Sequence, residues 1–522
     1  MRKLCALLLA LTTLLMVAGC GGKGDTPSSD PSTPPAQTSG DQNQTDAPAA
    51  ANESITLVNT APIPDYDPLN WYITSQSTLF TNVYSTLVDV IVTDDLQIEC
   101  RPNLAKSWET EEDGLVWVFH LNENAIYSDG SKVTAEHVKT CFERQMTNPY
   151  TMGYVSMIDS IEVRDENTVA IRLSYTWPSV PNCWYMIAIY NVDLYDADKE
   201  GYMKSPVGSG PYELTTLDET AGTMTLTRKD SWWGDEQPAI KTVNVRTITD
   251  PSTLVIALQS GEVDVGQLSG SNLRLVEGDQ NLVMKQSISQ VPSQLLINKN
   301  TAPFDNDKLR EAISYAIDYD AIRNATCSGY VSTKDSSIVY ATLDMEIPEG
   351  VRRYTYDPEK ARQLVAESGL STPIDVGEII GGNNNGSAEM VQQYLDAVGI
   401  KAAVTSYETN TFVQMAMGGQ FGLCITSGSG GQSAFENLLN YYGSGQPYNF
   451  NKFSNSAVDE LLGKMQLTSD PAETAAYLEE ALNIVVDEHT NMNLGIPAQY
   501  TVYNKNYSVP PMWNGIDMIR VK

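Results

Sequence analysis

The side chains best suited to acid–base and metal chemistry are few in this sequence, and they form no catalytic pattern. The chain has three histidines, His120, His137 and His489, and none belongs to an H-x-x-x-H or H-E-x-x-H motif. No G-x-S-x-G nucleophile motif occurs. Carboxylates are abundant, but no local pair stands out as a general acid and base, and long-range pairs cannot be read from sequence. These patterns disfavour a hydrolase and predict neither a metal nor a cofactor.

A run of amide side chains is better suited to binding than to catalysis. Asn383, Asn384 and Asn385 lie between glycines, directly before a helical pattern over 388–398. Each amide offers hydrogen-bond donors and an acceptor. The run is therefore a candidate ligand contact, and the alternative is a mobile turn.

The first 52 residues have the features of an export leader followed by a tether. Residues 1–19 read as a signal peptide, with a basic start and an apolar stretch too short for a typical membrane span. The leader ends in Val17-Ala18-Gly19-Cys20, which resembles a bacterial lipobox and predicts lipid on the Cys20 sulfur. An ordinary signal peptide with a chance cysteine is the alternative. Residues 20–52 contain almost no large apolar residues and are predicted to be disordered.

The cysteines that follow the tether have no metal-binding spacing. They are Cys100, Cys141, Cys183, Cys327 and Cys424, and no C-x-x-C motif occurs among them. Because their number is odd, a complete disulfide framework is excluded. Buried thiols are predicted, with a single bridge left open because exported proteins can form disulfides.

The composition predicts a soluble acidic protein of more than one domain. The chain has 522 residues, with 65 acidic and 33 basic side chains and a formal charge of −32. Nucleic acid is not expected as a partner, because phosphate contacts require a basic patch. A cationic ligand is compatible with this charge but is not implied by it.

The pattern of apolar residues predicts strands that alternate with capped helices, which indicates an α/β fold. The run 115–121 predicts a strand covered on both faces, and Thr134 predicts the start of a helix. Period-two alternation over 161–173 predicts a hairpin. A further helix is predicted over 77–87.

Several motifs at fixed spacing make the chain resemble a known family. They are Leu104-Ala105-x-Ser107-Trp108, Asp113-Gly114-x-x-Trp117-x-Phe119-x-Leu121, Ser128-Asp129-Gly130, Pro206-Val207-Gly208-Ser209-Gly210-Pro211-Tyr212, Ser260-Gly261-Glu262-Val263-Asp264 and Leu309-Arg310-x-Ala312-Ile313. Their order is similar to that in the large extracytoplasmic solute-binding proteins of ABC importers, family 5. This family carries peptides, nickel chelates and some oligosaccharides.

The resemblance implies a two-lobed periplasmic-binding-protein fold of the large class II type, with the ligand cleft between the lobes. The N-terminal lobe is expected over 53–294, with an inserted subdomain at about 79–204. The C-terminal lobe is expected over 295–489, and 490–522 return to the first lobe. The protein is expected to be a monomer outside the cytoplasm, anchored to the membrane by the lipid on Cys20, that delivers its solute to an ABC permease. A sensor that kept the fold is the alternative.

The resemblance also places the candidate ligand contacts. The loop after the first strand borders the family's cleft, so Tyr66 and Trp71 are candidates, unless they only pack the loop onto the domain. In peptide-binding members a carboxylate follows a strand of the second lobe. The equivalent stretch here, 421–433, contains no acid, and the first acid after it is Glu436. A buried ammonium without a counter-charge is costly, whereas Ser427, Ser429 and Gln432 offer neutral hydrogen bonds. The expected ligand is therefore peptide-like first, a sugar-like or other polar solute second, and a metal chelate third.

Overall fold

The computed structural model describes residues 53–522 with short gaps. The gaps are 73, 149, 178–179, 181–183, 288–291, 331–346, 383–385, 428–433, 447, 469 and 513–514. In chain order the strands are β1 Ser54–Asn59, β2 Val88–Val92, β3 Ile98–Pro102, β4 Ala105–Glu111, β5 Val116–Leu121, β6 Ile158–Asp165, β7 Thr168–Leu173, β8 Tyr212–Asp218, β9 Thr223–Arg228, β10 Thr242–Thr247, β11 Val265–Ser269, β12 Leu282–Ser287, β13 Ser293–Ile297, β14 Ile374–Gly381, β15 Ile400–Ser406, β16 Leu423–Ser427, β17 Asn491–Gly495 and β18 Gln499–Asn504.

The helices fall between these strands, as the α/β prediction requires. They are α1 Thr74–Val83, α2 Ala135–Gln145, α3 Val192–Ala197, α4 Lys199–Lys204, α5 Pro251–Ser260, α6 Leu273–Val276, α7 Asp307–Ala316, α8 Tyr319–Thr326, α9 Pro358–Glu367, α10 Gly386–Asp396, α11 Thr409–Gly418, α12 Ala434–Tyr442, α13 Ser456–Met465 and α14 Pro471–Glu488. Among the described residues, no helix combines the length and apolar character needed to cross a bilayer.

Three larger sheets carry the fold, together with the small β2–β3 hairpin. The N-terminal sheet has the order β12-β18-β11-β1-β10-β9-β8, and the C-terminal sheet has the order β15-β14-β16-β13-β17. A four-stranded side sheet has the order β4-β5-β7-β6. The chain passes between the N-terminal and C-terminal sheets twice, from β12 to β13 and from β17 to β18. The two sheets are thus joined by two strand crossings.

Local sequence signals explain most of these elements. Thr134 caps α2 by accepting a hydrogen bond from the His137 backbone N–H, and the His137 side chain completes a capping box. The predicted hairpin is β6–β7, and the predicted covered strand is β5, which is buried except at His120. Both predictions are confirmed.

The helix predicted over 77–87 is shifted in the structure. It begins at Thr74 and ends at Val83, and Ser85 instead forms an isolated bridge to Ile189. Its early turns bury polar side chains such as Gln76 rather than apolar ones. Because these polar residues interrupt the apolar periodicity, the sequence pattern predicted the start of this helix three residues too late.

Two glycines hold this helix end against the N-terminal sheet. Gly210 N–H donates to the Val83 carbonyl at 2.9 Å, and a Cβ on Gly208 or Gly210 would collide with the α1 backbone. Neither glycine has a positive φ. The two glycines are therefore needed because they let the backbone approach α1 closely.

The packed core has two main parts. One cluster joins β1, the side sheet and helices α12–α14, with Leu57, Phe119 and Leu482 among its buried members. The other lies between the C-terminal sheet and α7–α10 and includes Leu295 and Ile313. Cys141 and Cys424 are buried free thiols, whereas Cys100 is a half-buried free thiol.

Candidate functional site

One edge of the N-terminal sheet positions the first group of candidate residues. Strands β10 and β11 both run parallel to β1, so their carboxyl ends meet at the same edge. The loop that leaves β1 at this edge, 61–72, carries Tyr66 and Trp71. In open α/β sheets, ligands bind outside the carboxyl ends of the strands.

The two aromatic candidates of this loop differ in exposure. Trp71 is 2% exposed, packs edge-on against Phe80 and donates its indole N–H to Ser77 Oγ at 3.0 Å. Tyr66 is half-buried, and its burial, followed by the charge of Glu219, raises the pKa of its hydroxyl. Trp71 thus anchors the loop, while Tyr66 keeps part of its surface accessible.

A buried carboxylate, which the sequence analysis missed, fixes the same loop to helices α3 and α4. Asp67 is 1% exposed and accepts hydrogen bonds from the Tyr195 hydroxyl at 3.0 and 3.2 Å and from the Leu69 N–H at 2.9 Å. Lys199 Nζ lies 2.6 Å from Asp67 Oδ2, and this contact is the main cause of the raised pKa of the lysine. We call Asp67, Tyr195 and Lys199 the loop anchor.

Two buried amides brace the remainder of the loop. Gln76 Nε2 donates to the carbonyls of Asp65 and Asn70 at 2.8 and 2.9 Å. Asn148 Nδ2 donates to the Leu69 carbonyl at 2.7 Å. Because its backbone groups are paired with buried partners, the loop presents Tyr66 from a preorganised backbone.

A corresponding edge of the C-terminal sheet positions the candidate residues of the second lobe, in the loops that follow β14 and β16. Strands β14 and β16 run parallel, and Gly381 lies opposite Ile425 in their register. Their carboxyl ends, at Gly381 and Ser427, therefore lie at one edge. Ser427 is exposed at the end of β16. The structure thus brings together the ends from which the two polar candidate loops depart.

The other predicted contacts can be placed only in part. Cys20, Asn383, Asn384, Asn385, Ser429 and Gln432 lie outside the described residues. Glu436 lies in α12, but its side chain is also outside the description. These residues remain predictions.

The histidines have structural surroundings. His137 completes the α2 cap, and burial lowers the pKa of its imidazole. His489 ends α14 in the left-handed conformation, and burial likewise lowers its pKa. His120 lies 3.5 Å from Glu109 at the surface. Within the described ranges, no three His, Cys, Asp or Glu side chains are grouped so that they could hold a metal ion.

An aromatic contact joins the side sheet to α12, and no local sequence signal predicted it. Trp177, just after β7, meets Phe435 edge-to-face at 5.4 Å between ring centroids, and Tyr175 meets the same ring at 6.2 Å. Beside them, Thr176 Oγ1 donates to the Gln466 carbonyl at 3.0 Å. We call Tyr175, Trp177 and Phe435 the aromatic bridge.

A cavity of about 550 Å³ lies between the β2–β3 hairpin, Trp232 and the C-terminal segment. Two carboxyls in its wall, Asp89 and Asp517, influence each other. Burial and then Asp89 raise the pKa of Asp517 to about 7. Burial also raises the pKa of Asp89, although Arg520 and Arg101 partly oppose this shift. We call Asp89 and Asp517 the carboxyl pair.

Comparison with known proteins identifies relatives along most of the chain. The glutathione-binding protein GsiB of Shigella flexneri serotype 5b is 26% identical over 432 residues, which cover 79% of this chain and 84% of that protein. GsiB of Escherichia coli K12 is 26% identical over 439 residues, covering 79% and 83%.

Solved structures have the same fold. The ABC transporter substrate-binding protein CtaP of Listeria monocytogenes aligns with a TM-score of 0.78 at 21% identity, covering 90% of this chain and 99% of that one. DppA of Helicobacter pylori, solved with the peptide STSA, aligns with a TM-score of 0.73 at 22% identity, covering 90% and 97%. NikZ of Campylobacter jejuni, solved with Ni(L-His), aligns with a TM-score of 0.76 at 19% identity, covering 90% and 99%. These likenesses confirm the predicted two-lobed α/β fold.

The family assignment rests on the middle of the chain. Residues 99–450 match the family described as bacterial extracellular solute-binding proteins, family 5. This range includes the side sheet, most of the N-terminal sheet and most of the C-terminal sheet. The chain belongs to the family 5 bacterial extracellular solute-binding proteins.

Proposed function

We propose that this protein is the substrate-binding component of an ABC importer and captures a peptide-like solute between two lobes. The match to family 5 over 99–450 carries the proposal. The named relatives support a peptide-like ligand, since they include glutathione-binding and peptide-bound proteins. The N-terminal lobe comprises 53–294, with the insertion at about 79–204. The C-terminal lobe comprises 295–489, and 490–522 return to the first lobe.

The solute site is proposed between the two sheet edges described above. Tyr66 would contribute from the first edge and Ser427 from the second, with Asn383–Asn385, Ser429, Gln432 and Glu436 as further candidates. Trp71 would act indirectly, because its ring is almost fully buried. A solute that contacts both edges would favour closure by bending at the two strand crossings.

A ligand screen tests this assignment. Thermal-shift and calorimetric titrations would use glutathione, the peptide Ser-Thr-Ser-Ala, an oligosaccharide and a nickel–histidine chelate. Saturable binding of a peptide-like compound, weakened by Tyr66→Ala, supports the proposal. Binding of only the sugar or the chelate would overturn the peptide-like class. Tight binding of free-amine peptides that survives Glu436→Gln would refute the interpretation that the second-lobe loop offers only neutral hydrogen bonds.

The remaining assignments concern location and assembly. We propose that Cys20 carries lipid, that the chain is a monomer on the outer face of the cell membrane, and that it delivers solute to a permease without catalysing a reaction. Mass spectrometry of the native N-terminus tests the anchor. A lipid-modified Cys20 as first residue is expected, and an unmodified chain that begins elsewhere would contradict it.

A further inference from the structure

The aromatic bridge connects two parts of the molecule that no strand pairing joins. Tyr175 and Trp177 follow the side sheet, and Phe435 lies at the start of α12, which follows the C-terminal sheet. Among the described strands, the chain passes between the N-terminal and C-terminal sheets at the two strand crossings given above. The bridge involves no residue of either crossing, so it is a separate, noncovalent connection.

Both sides of the bridge are held on rigid supports. Ser174 N–H donates to the Met157 carbonyl at 2.8 Å, which fixes the start of the segment to the end of the side sheet. Phe435 shares one face of α12 with Leu438 and Tyr442, which are buried in the bundle of α12–α14. The bridge therefore connects the packed side sheet to the packed bundle of α12–α14, and it is not a contact between two mobile side chains.

The contact removes large aromatic surfaces from water. Trp177 is 5% exposed and Phe435 is 8% exposed. Just beyond Gln466, which accepts the Thr176 hydrogen bond, Leu467 is 84% exposed, so the bridge lies close to the protein surface. If the two units separated, water would reach both rings, and this exposure opposes opening.

We infer that the aromatic bridge is a positioning device that sets how firmly the protein closes, and through this its affinity for solute, without touching the solute. This inference rests on the proposed function, because it assumes that closure forms the site. An apparent dissociation constant increases as the binding-competent fraction falls. An edge-to-face pair of this kind corresponds to a shift of roughly 2- to 12-fold in the ratio of closed to open molecules.

Small-angle scattering of the ligand-free full chain tests the inference. Trp177→Ala and Phe435→Ala are expected to increase the radius of gyration, and the double variant should add little to either single change. Trp177→Phe, which keeps an aromatic edge, should restore most of the compaction. Thr176→Val, which removes only the hydrogen bond to Gln466, should increase the radius less. This variant replaces the alanine variants in the test if they do not fold.

Phe453→Ala is the matched control. Phe453 is 1% exposed and packs edge-on against Tyr442 in the same helical bundle, and its ring is not part of the aromatic bridge. Its removal should lower the melting temperature but leave the radius unchanged. An unchanged radius for Trp177→Ala, or an equal expansion for Phe453→Ala, would overturn the inference.

The same variants separate the inference from the function on which it rests. With glutathione or Ser-Thr-Ser-Ala as probe, bridge variants should bind roughly 2- to 12-fold more weakly. If wild type compacts on binding but the variants match it in radius and affinity, the bridge proposal fails and the importer function stands. If the variants expand but no probe binds wild type, the bridge controls the shape, and its link to solute affinity is refuted together with the peptide-like assignment.

Discussion

The loop anchor and the carboxyl pair both place aspartates next to cationic side chains, but Asp67 is buried whereas Asp89 and Asp517 are half-buried, and their partners differ. Asp67 accepts hydrogen bonds from the Tyr195 hydroxyl and the Leu69 backbone N–H, and its carboxylate pairs with the Lys199 ammonium. Asp517 receives one backbone N–H, from Ile519 at 2.9 Å, and faces a second carboxyl. Burial, and then the charge of Asp89, raises the pKa of Asp517 to about 7. A buried carboxylate stabilises the fold when donors surround it, and it favours protonation when another carboxylate faces it.

The largest effect is expected when the loop anchor is broken. Asp67→Ala removes the acceptor for three donors, and it should lower the free energy of unfolding by about 2–3 kcal/mol. The loss stays below that of a fully buried pair because the Lys199 side chain is 51% exposed and can rehydrate. Urea denaturation monitored by circular dichroism measures this change.

Asp65→Ala is the control for this variant, since Asp65 is a half-buried carboxylate in the same loop. It accepts from the Asp67 N–H at 2.9 Å and from Asn70 Nδ2 at 2.6 Å. Water can replace these bonds, so a loss of about 1 kcal/mol is expected. Equal losses for the two variants would contradict the special role of Asp67.

Local chemistry in the sequence was enough to predict much of the fold. Thr134, Asp250, Asp357 and Asp470 each precede a helix that they cap, because capping is decided within three residues. The candidate site was predicted less completely. The loop after β1 was found from the resemblance, but its anchor joins Asp67 to Lys199, which follows the side sheet in the chain.

Contacts between distant parts of the chain explain what the sequence could not supply. Trp177 lies in the segment after β7 and Phe435 lies at the start of α12, and nothing in either stretch indicates the other. Asp89 and Asp517 come together only because the C-terminal segment packs beside the β2–β3 hairpin. Such pairs depend on the tertiary fold, and no local spacing encodes them.

An intermediate effect is expected at the carboxyl pair, and it should depend on pH. The pKa of Asp517 is raised from its ordinary value of 3.8 to about 7 in the folded protein. The stability that this group contributes is therefore fully present below pH 4 and is lost as the pH rises to about 7. Asp517→Asn removes a charge that burial and then Asp89 disfavour, so it should stabilise the protein by about 2 kcal/mol at pH 8 and have little effect at pH 4.

Denaturation midpoints measured from pH 4 to pH 8 check this dependence. Asp235→Asn, which changes an exposed carboxylate on the wall of the same cavity, serves as control and should leave the pH profile unchanged. A uniform offset of Asp517→Asn at every pH would contradict the raised pKa of Asp517.

The smallest effect of a substitution is expected at Cys100 in β3, whose thiol senses the charge of Asp89. Burial, followed by the charge of Asp89, raises the pKa of the Cys100 thiol to about 12. Iodoacetamide at pH 8 should therefore alkylate it about 1,000-fold more slowly in the folded protein than in urea, as followed by mass spectrometry of the Cys100 peptide. Because burial is the main cause, Asp89→Asn should accelerate the folded-state reaction only a few-fold. An acceleration to the denatured rate would mean that the Asp89 charge, rather than burial, protects the thiol.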